Sequence, residues 1–150
     1  MKIAIGADNL GYGLKEELKK YIQALGHEVV DCGCSSPDPV DYPDVAKVTV
    51  DAIQEGACER GVLICGTGIG MAMAANKVKG IRAAQCHDVY SAERAAKSNN
   101  AHIITFGALI VGPELAKLLV KTWLESFFTG GPSARKIAKI MDLEKVAEQV

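Results

Sequence analysis

One stretch of this 150-residue sequence gathers groups able to move a proton: Ile64-Cys65-Gly66-Thr67-Gly68-Ile69-Gly70, a thiol and a hydroxyl among alternate glycines. Glycines at 66, 68 and 70 after an apolar run leave backbone N–H groups free to form an anion-binding nest at a helix N-terminus. The spacing is GxGxG, so it is not the GxGxxG dinucleotide fingerprint, and no Lys-Ser/Thr follows as a P-loop requires. By itself the glycine pattern equally describes a tight strand-to-helix turn. Cys65 shifts the balance, because a thiol just before a helix N-terminus meets the positive end of the dipole, which favours thiolate. A thiolate beside such a nest suits nucleophilic attack, which calls for a histidine partner. It also suits proton abstraction next to a carbonyl, with amides stabilising the enediolate. None of the three histidines, His27, His87 and His102, is expected beside Cys65, which favours proton transfer. His27 opens a strand, His102 lies at the far end of the sheet, and His87 alone follows a strand on the crevice side.

The other cysteines read as bystanders. Cys58 lies in or just past a helix, Cys86 ends a strand, and Cys32 and Cys34 sit in a loop. Five cysteines with no CxxC pair form neither a disulfide framework nor a zinc site. Free thiols point to a reducing compartment, the cytoplasm.

The elements that must position these groups alternate short β-branched runs with helical periods, the pattern of an α/β domain with a parallel sheet. Strands are expected at 2–6, 27–31, 61–65, 81–86 and 102–106. Helices are expected at 11–25, 44–55, 71–78, 90–98, 112–128 and 133–148. In the first helix Leu14, Leu18, Tyr21, Ile22 and Leu25 form one stripe, and Gly26 supplies its left-handed cap. The segment 32–43 holds three prolines and reads as a long loop, of the kind that often carries function. A doubly wound, five-stranded parallel sheet of order 2-1-3-4-5, with helices on both faces and an extra C-terminal helix, is the expected fold. Its strand order reverses between the first and third strands, where ligands bind outside the carboxyl ends. Those strands lead into Asp8-Asn9 and Cys65-Gly66, so a carboxylate and a thiol meet at one crevice.

The chain reads as a single domain over 1–150, with no repeat or linker to split it. It carries 17 basic against 18 acidic side chains, without the basic excess that a nucleic-acid or anionic membrane surface needs. No 18-residue apolar run suggests a membrane span. The closing helices carry Trp123, Phe127, Phe128, Ile137, Ile140 and Met141, mostly core, with an apolar face that a second subunit could cover.

At this point the residues match a known family. The sequence resembles the type B ribose-5-phosphate isomerases and the related galactose-6-phosphate isomerase subunits. The match includes KIAIGAD, GYGLKEEL, DYPD, ICGTGIGMAMAANKVKGIRAA, NNA at 99–101 and FGALIVGPELA. The resemblance implies a doubly wound α/β fold, a homodimer or homotetramer, a site at the subunit interface, and no metal or organic cofactor. It implies that Cys65 is the base moving a proton between C1 and C2 of an open-chain sugar phosphate. Thr67, Gly66, Gly68 and Gly70 would hold the enediolate oxygens, and Asp8, Tyr42 and Asn99 the sugar.

Three positions depart from the family pattern. Asn9 stands where the family has His, and Ser98 replaces a His associated with ring opening in some members. Gly130-Gly131-Pro132-Ser133 replaces Gly-Gly-Arg-His, leaving Arg135 or Lys136 as the basic contact there. The expected reaction is the interconversion of ribose 5-phosphate and ribulose 5-phosphate. The loss of both histidines makes an open-chain tetrulose/tetrose 4-phosphate an alternative substrate, with a hexose 6-phosphate another. A non-catalytic phosphosugar-binding subunit is the alternative of a different class, and a cysteine-dependent transferase lacks its partner base.

Overall fold

The computed structural model describes residues 1–147. In chain order its elements are β1 (Lys2–Ala7), α1 (Tyr12–Ala24), β2 (Glu28–Asp31), α2 (Tyr42–Gln54), β3 (Arg60–Cys65) and α3 (Ile69–Asn76). There follow β4 (Ala83–Gln85), α4 (Val89–Lys97), β5 (Ile103–Gly107), α5 (Pro113–Leu124) and α6 (Pro132–Ala147). The strands form one parallel sheet with helices on both faces and α6 appended, a doubly wound α/β fold.

The strand order is β2-β1-β3-β5-β4. The reversal between β1 and β3 stands where the sequence places it, but the last two strands are exchanged relative to the expected 2-1-3-4-5. The reason lies in their side chains. An inner strand of a parallel sheet is covered on both faces and must be apolar throughout. Every residue of β5, Ile-Ile-Thr-Phe-Gly, is buried, whereas β4 is three residues long and partly exposed. Right-handed crossovers then send α3 and α4 to opposite faces. Accordingly α3 packs on α2, while α4 packs on α5, which also contacts α1.

Several helix boundaries move for local reasons. α2 begins at Tyr42 rather than 44, because Pro43 fits a first turn whose N–H needs no partner. α3 begins at Ile69 rather than 71, turned into the helix by Gly68 at φ +78°. α5 ends at Leu124 rather than 128. There Arg60 donates to the Trp123 and Ser126 carbonyls at 2.8 and 2.9 Å, with its guanidinium packed on the Trp123 and Phe127 rings. Gly26 adopts φ +87° after α1, as its capping role requires. The final helix was expected to reach Glu148, which lies outside the described residues.

The buried stripe of α1 is Lys15, Leu18 and Ile22, so a charge occupies a core position. The Lys15 ammonium is paired with Asp31 at 2.7 Å and donates to the Cys34 carbonyl at 2.7 Å. It thereby clasps the loop that hydrogen-bonds both sides of Ala7, immediately before Asp8.

His102 enters β5 at the end of the sheet away from Cys65, where Nδ1 accepts the Arg82 amide at 3.3 Å. Burial, then the nearby Arg82 and Arg60 charges, push its pKa from 6.5 down to about 4. A depressed histidine pKa means that the unfolded chain binds the proton first. Stability is therefore full above about pH 6.5 and falls as pH drops towards 4. Thermal unfolding followed across that window is expected to show a declining midpoint, flattened in His102→Gln; equal slopes in both proteins would contradict the assignment. Among the described residues no helix is long and apolar enough to cross a membrane.

Candidate active site

The strand reversal opens a cleft of about 510 Å³ at the carboxyl ends of β1 and β3. Its polar wall is made by Asp8, Tyr42, Cys65, Gly66, Thr67 and Gly70, and its apolar wall by Leu10, Ile69, Met73 and Leu109. Six of the expected site residues thus share one cavity, although they come from three separate segments.

Each polar group is oriented by the backbone around it. Asp8 is 8% exposed, and its Oδ1 accepts the Leu10 and Gly11 amides at 3.0 and 3.1 Å, which starts α1. Cys65 ends β3 and is 5% exposed; its Sγ accepts the Gly68 N–H at 3.0 Å. Thr67 Oγ1 accepts the Ile69 amide at 3.3 Å, leaving its own proton to donate. The first-turn amides of a helix have no intrahelical partner. Two at the start of α3 therefore hold the thiol and the hydroxyl, while Gly70, in the same turn, lines the cleft. A Cβ on Gly70 would lie 2.5 Å from the Tyr42 ring, so the bare backbone there lets the phenol close the cleft.

The remaining expected residues lie elsewhere. Gly68 is behind the wall, its amide committed to sulfur. Asn9 is half-buried in the turn after Asp8 and does not line the cleft. Asn99 faces a separate cavity of about 190 Å³ bounded by Asn76, Arg82 and Ile140. Arg135 and Lys136 are exposed on α6, a helix that packs near the amino end of β4 through Met141 and Glu144. Within one chain these three side chains are not brought to the thiol. Sequence spacing cannot reveal this, because α6 has no strand after it to fix its place.

His87 does approach the carboxyl end of the sheet, where its Nε2 accepts the Gly107 N–H at 3.0 Å and leaves Nδ1 to carry the proton. Cys65 lines the cleft, and no other cysteine does so among the described residues. Burial pushes Cys86 up to about 11 and also raises Cys32 and Cys58, so all three stay protonated near neutrality.

Leu10, Ile69, Met73 and Leu109 are cleft residues that the sequence reading missed. Leu109 arrives because β5 lies beside β3, where Ala108 and Leu109 donate to the Cys65 and Gly66 carbonyls at 2.8 and 3.1 Å. The available signal was the run 103–106, apolar except for Thr105, which marks an inner strand. Among the described residues no cluster of three His, Cys, Asp or Glu side chains is arranged to hold a metal ion.

Known proteins of similar length share this chain's sequence and fold. The sequence model of the family described as Ribose/Galactose Isomerase matches residues 3–140. A D-erythrulose-4-phosphate isomerase of Pectobacterium atrosepticum is 52% identical, with 93% of each chain covered. A ribose-5-P isomerase B of Listeria innocua is 50% identical, covering 97% of this chain and 98% of its own. The structure of ribose-5-phosphate isomerase B from Clostridium thermocellum superposes with a TM-score of 0.96 at 44% identity, over 98% of this chain and 99% of that one. Fold, length and sequence agree from end to end, and this chain belongs to the ribose/galactose isomerase family of sugar-phosphate isomerases.

Proposed function

We propose that this protein interconverts a small aldose phosphate and its ketose through a cis-enediolate, with Cys65 as the base and no cofactor. The observation that carries the reading is the convergence of Cys65, Thr67, Asp8 and Gly70 on one cleft. The Cys65 thiolate takes the proton from C2 of the aldose, and the C2–H electrons form the enediolate double bond. The Thr67 hydroxyl and the Gly70 amide stabilise its oxygens where negative charge develops. The thiol then returns the proton to C1, while the hydroxyl proton passes from O2 to O1. Asp8 and Tyr42 hold the sugar hydroxyls.

Substrate choice rests on what the cleft wall lacks. It presents a carboxylate, a phenol, a thiol and a hydroxyl, with no imidazole among the described residues. Opening a cyclic sugar requires an acid–base pair. A tetrose 4-phosphate cannot close a furanose, because its O4 carries the phosphate, so it reaches the cleft already open. We therefore favour a tetrulose/tetrose 4-phosphate pair over ribose 5-phosphate. Identity does not decide between them, since relatives named for each substrate match almost equally.

The free cysteines suit a reducing compartment such as the cytoplasm. Exposed Leu10, Ile69, Met73 and Leu109 rim the cleft and support a homodimer or homotetramer. In such an assembly Asn99, Arg135 and Lys136 would serve the cleft of another copy.

A turnover panel of tetrulose, ribose and hexose phosphates tests the reading. The tetrulose phosphate is expected to exceed ribose 5-phosphate in kcat/KM by about tenfold or more, a difference of roughly 1.4 kcal/mol in transition-state stabilisation. Faster turnover of ribose 5-phosphate would restore the pentose reading. Binding without turnover of any sugar would make the chain a phosphosugar-binding subunit.

A further inference from the structure

An amide nest serves an oxyanion only while its peptide planes keep their N–H ends inward, because a carbonyl turned into the cleft would repel the enediolate. Two consecutive peptide groups decide this at the start of α3. The Thr67–Gly68 peptide donates its N–H to Cys65 Sγ at 3.0 Å, and its opposite end, the Thr67 carbonyl, accepts the Gln85 side-chain amide at 2.7 Å. The Gly68–Ile69 peptide donates to Thr67 Oγ1 at 3.3 Å, and its carbonyl accepts the buried Thr105 hydroxyl at 2.8 Å. Gln85 and Thr105 are register partners on the adjacent strands β4 and β5, so one site in the sheet clamps both planes from behind.

The two carbonyls differ in their other supports. The Gly68 carbonyl also accepts the Ala72 amide, at 3.1 Å, as the first bond of α3, whereas the bond shown to the Thr67 carbonyl comes from Gln85 alone. The carbonyls of Cys65 and Gly66 are held by main-chain amides that no substitution removes. The Thr67–Gly68 plane is therefore the one whose orientation depends most on a side chain.

We propose that Gln85 and Thr105 are positioning residues that act on Cys65 and Thr67 through these two peptide groups. Neither touches the cleft; each fixes the direction of an N–H that holds a reacting side chain. The proposal rests on the isomerase reading for its kinetic consequence and on geometry alone for its effect on the thiol.

The test uses near-isosteric pairs in the full chain. Gln85→Met and Thr105→Val remove the donors, whereas Gln85→Lys and Thr105→Ser retain one. Gln85 is exposed, so its variants are expected to fold normally. Gln85→Met is expected to lower kcat on the order of tenfold with KM nearly unchanged, since misplacement by less than an ångström already slows a positioned reaction. Gln85→Lys should keep most of that activity, and Thr105→Ser should likewise exceed Thr105→Val.

A second readout needs no turnover: the rate at which iodoacetamide labels Cys65 at fixed pH, followed on its own peptide by mass spectrometry. It should fall several-fold in Gln85→Met as the sulfur loses its amide partner. Unchanged labelling in that variant, or kcat and KM moving together without rescue, would overturn the proposal. Slower labelling in a protein that turns over no sugar phosphate would instead overturn the isomerase reading and leave the clamp standing.

Discussion

Cys65→Ser is expected to abolish isomerisation, lowering kcat by about 10³-fold or more while leaving the circular dichroism spectrum unchanged. The size follows from the general-base contribution of about 10²–10⁴, with little residual basicity left in a serine hydroxyl at neutral pH. The fold should persist because serine still offers the Gly68 N–H an acceptor and differs from cysteine by a single, slightly smaller atom. Transfer of the substrate's C2 proton to solvent, followed by NMR in deuterated buffer, should disappear with turnover. No other cysteine can substitute, since Cys86 is pushed up to about 11 by burial and packs beneath α4. A Cys65→Ser variant that still exchanged the C2 proton would remove the thiol from the mechanism and direct attention to Asp8.

Gly68→Ala is expected to be the most damaging change that adds only one carbon. Gly68 adopts φ +78°, which costs an L-residue about 1–2 kcal/mol. Its new Cβ would also stand 2.7 Å from the Phe106 backbone, in β5, which is held between β3 and β4 and cannot retreat. Overpacking of that kind adds about 1–3 kcal/mol, for a total on the order of 3 kcal/mol. The amide that holds Cys65 Sγ would be displaced together with the turn that starts α3. Chemical denaturation should therefore show a large fall in midpoint, and any folded protein should have lost most of its activity. Gly130→Ala provides the control: its φ is +83°, but nothing lies within 4 Å of the added Cβ, so only the backbone cost of about 1–2 kcal/mol applies. Equal losses in the two variants would show that the contact with Phe106 contributes nothing.

Much of this site is legible in the sequence because its key residues sit at element boundaries. Cys65 is the last residue of a fully apolar run, the alternate glycines follow at once, and Asp8 closes the first strand. Those positions depend on local hydrophobic period and turn chemistry, which the chain carries at every point. That Asp8 and Cys65 meet requires one further step, the reversal of strand order between β1 and β3, which the doubly wound pattern assumes and the observed β2-β1-β3 order provides. Lys15 was not legible: the sequence puts Leu14 at the head of that stripe, and the burial of Lys15 depends on Asp31 arriving from β2.

What the tertiary structure alone decides begins at β4. The exchange of β4 and β5 sets which strand borders the thiol, and it turns on a comparison between two distant runs rather than on either one. From that exchange follow Leu109 in the cleft and the clamp of Gln85 and Thr105, contacts spanning 18 and 37 residues that leave no periodic trace. The same holds in reverse for Asn99, Arg135 and Lys136, whose chemistry suits the site but whose elements carry them away from the cleft of their own chain. Sequence alone thus determined where Cys65, its alternate glycines and Asp8 stand at their element ends, because short-range pattern specifies those ends. The structure decided how rigidly that nest is held and what closes around it, because those depend on long-range packing.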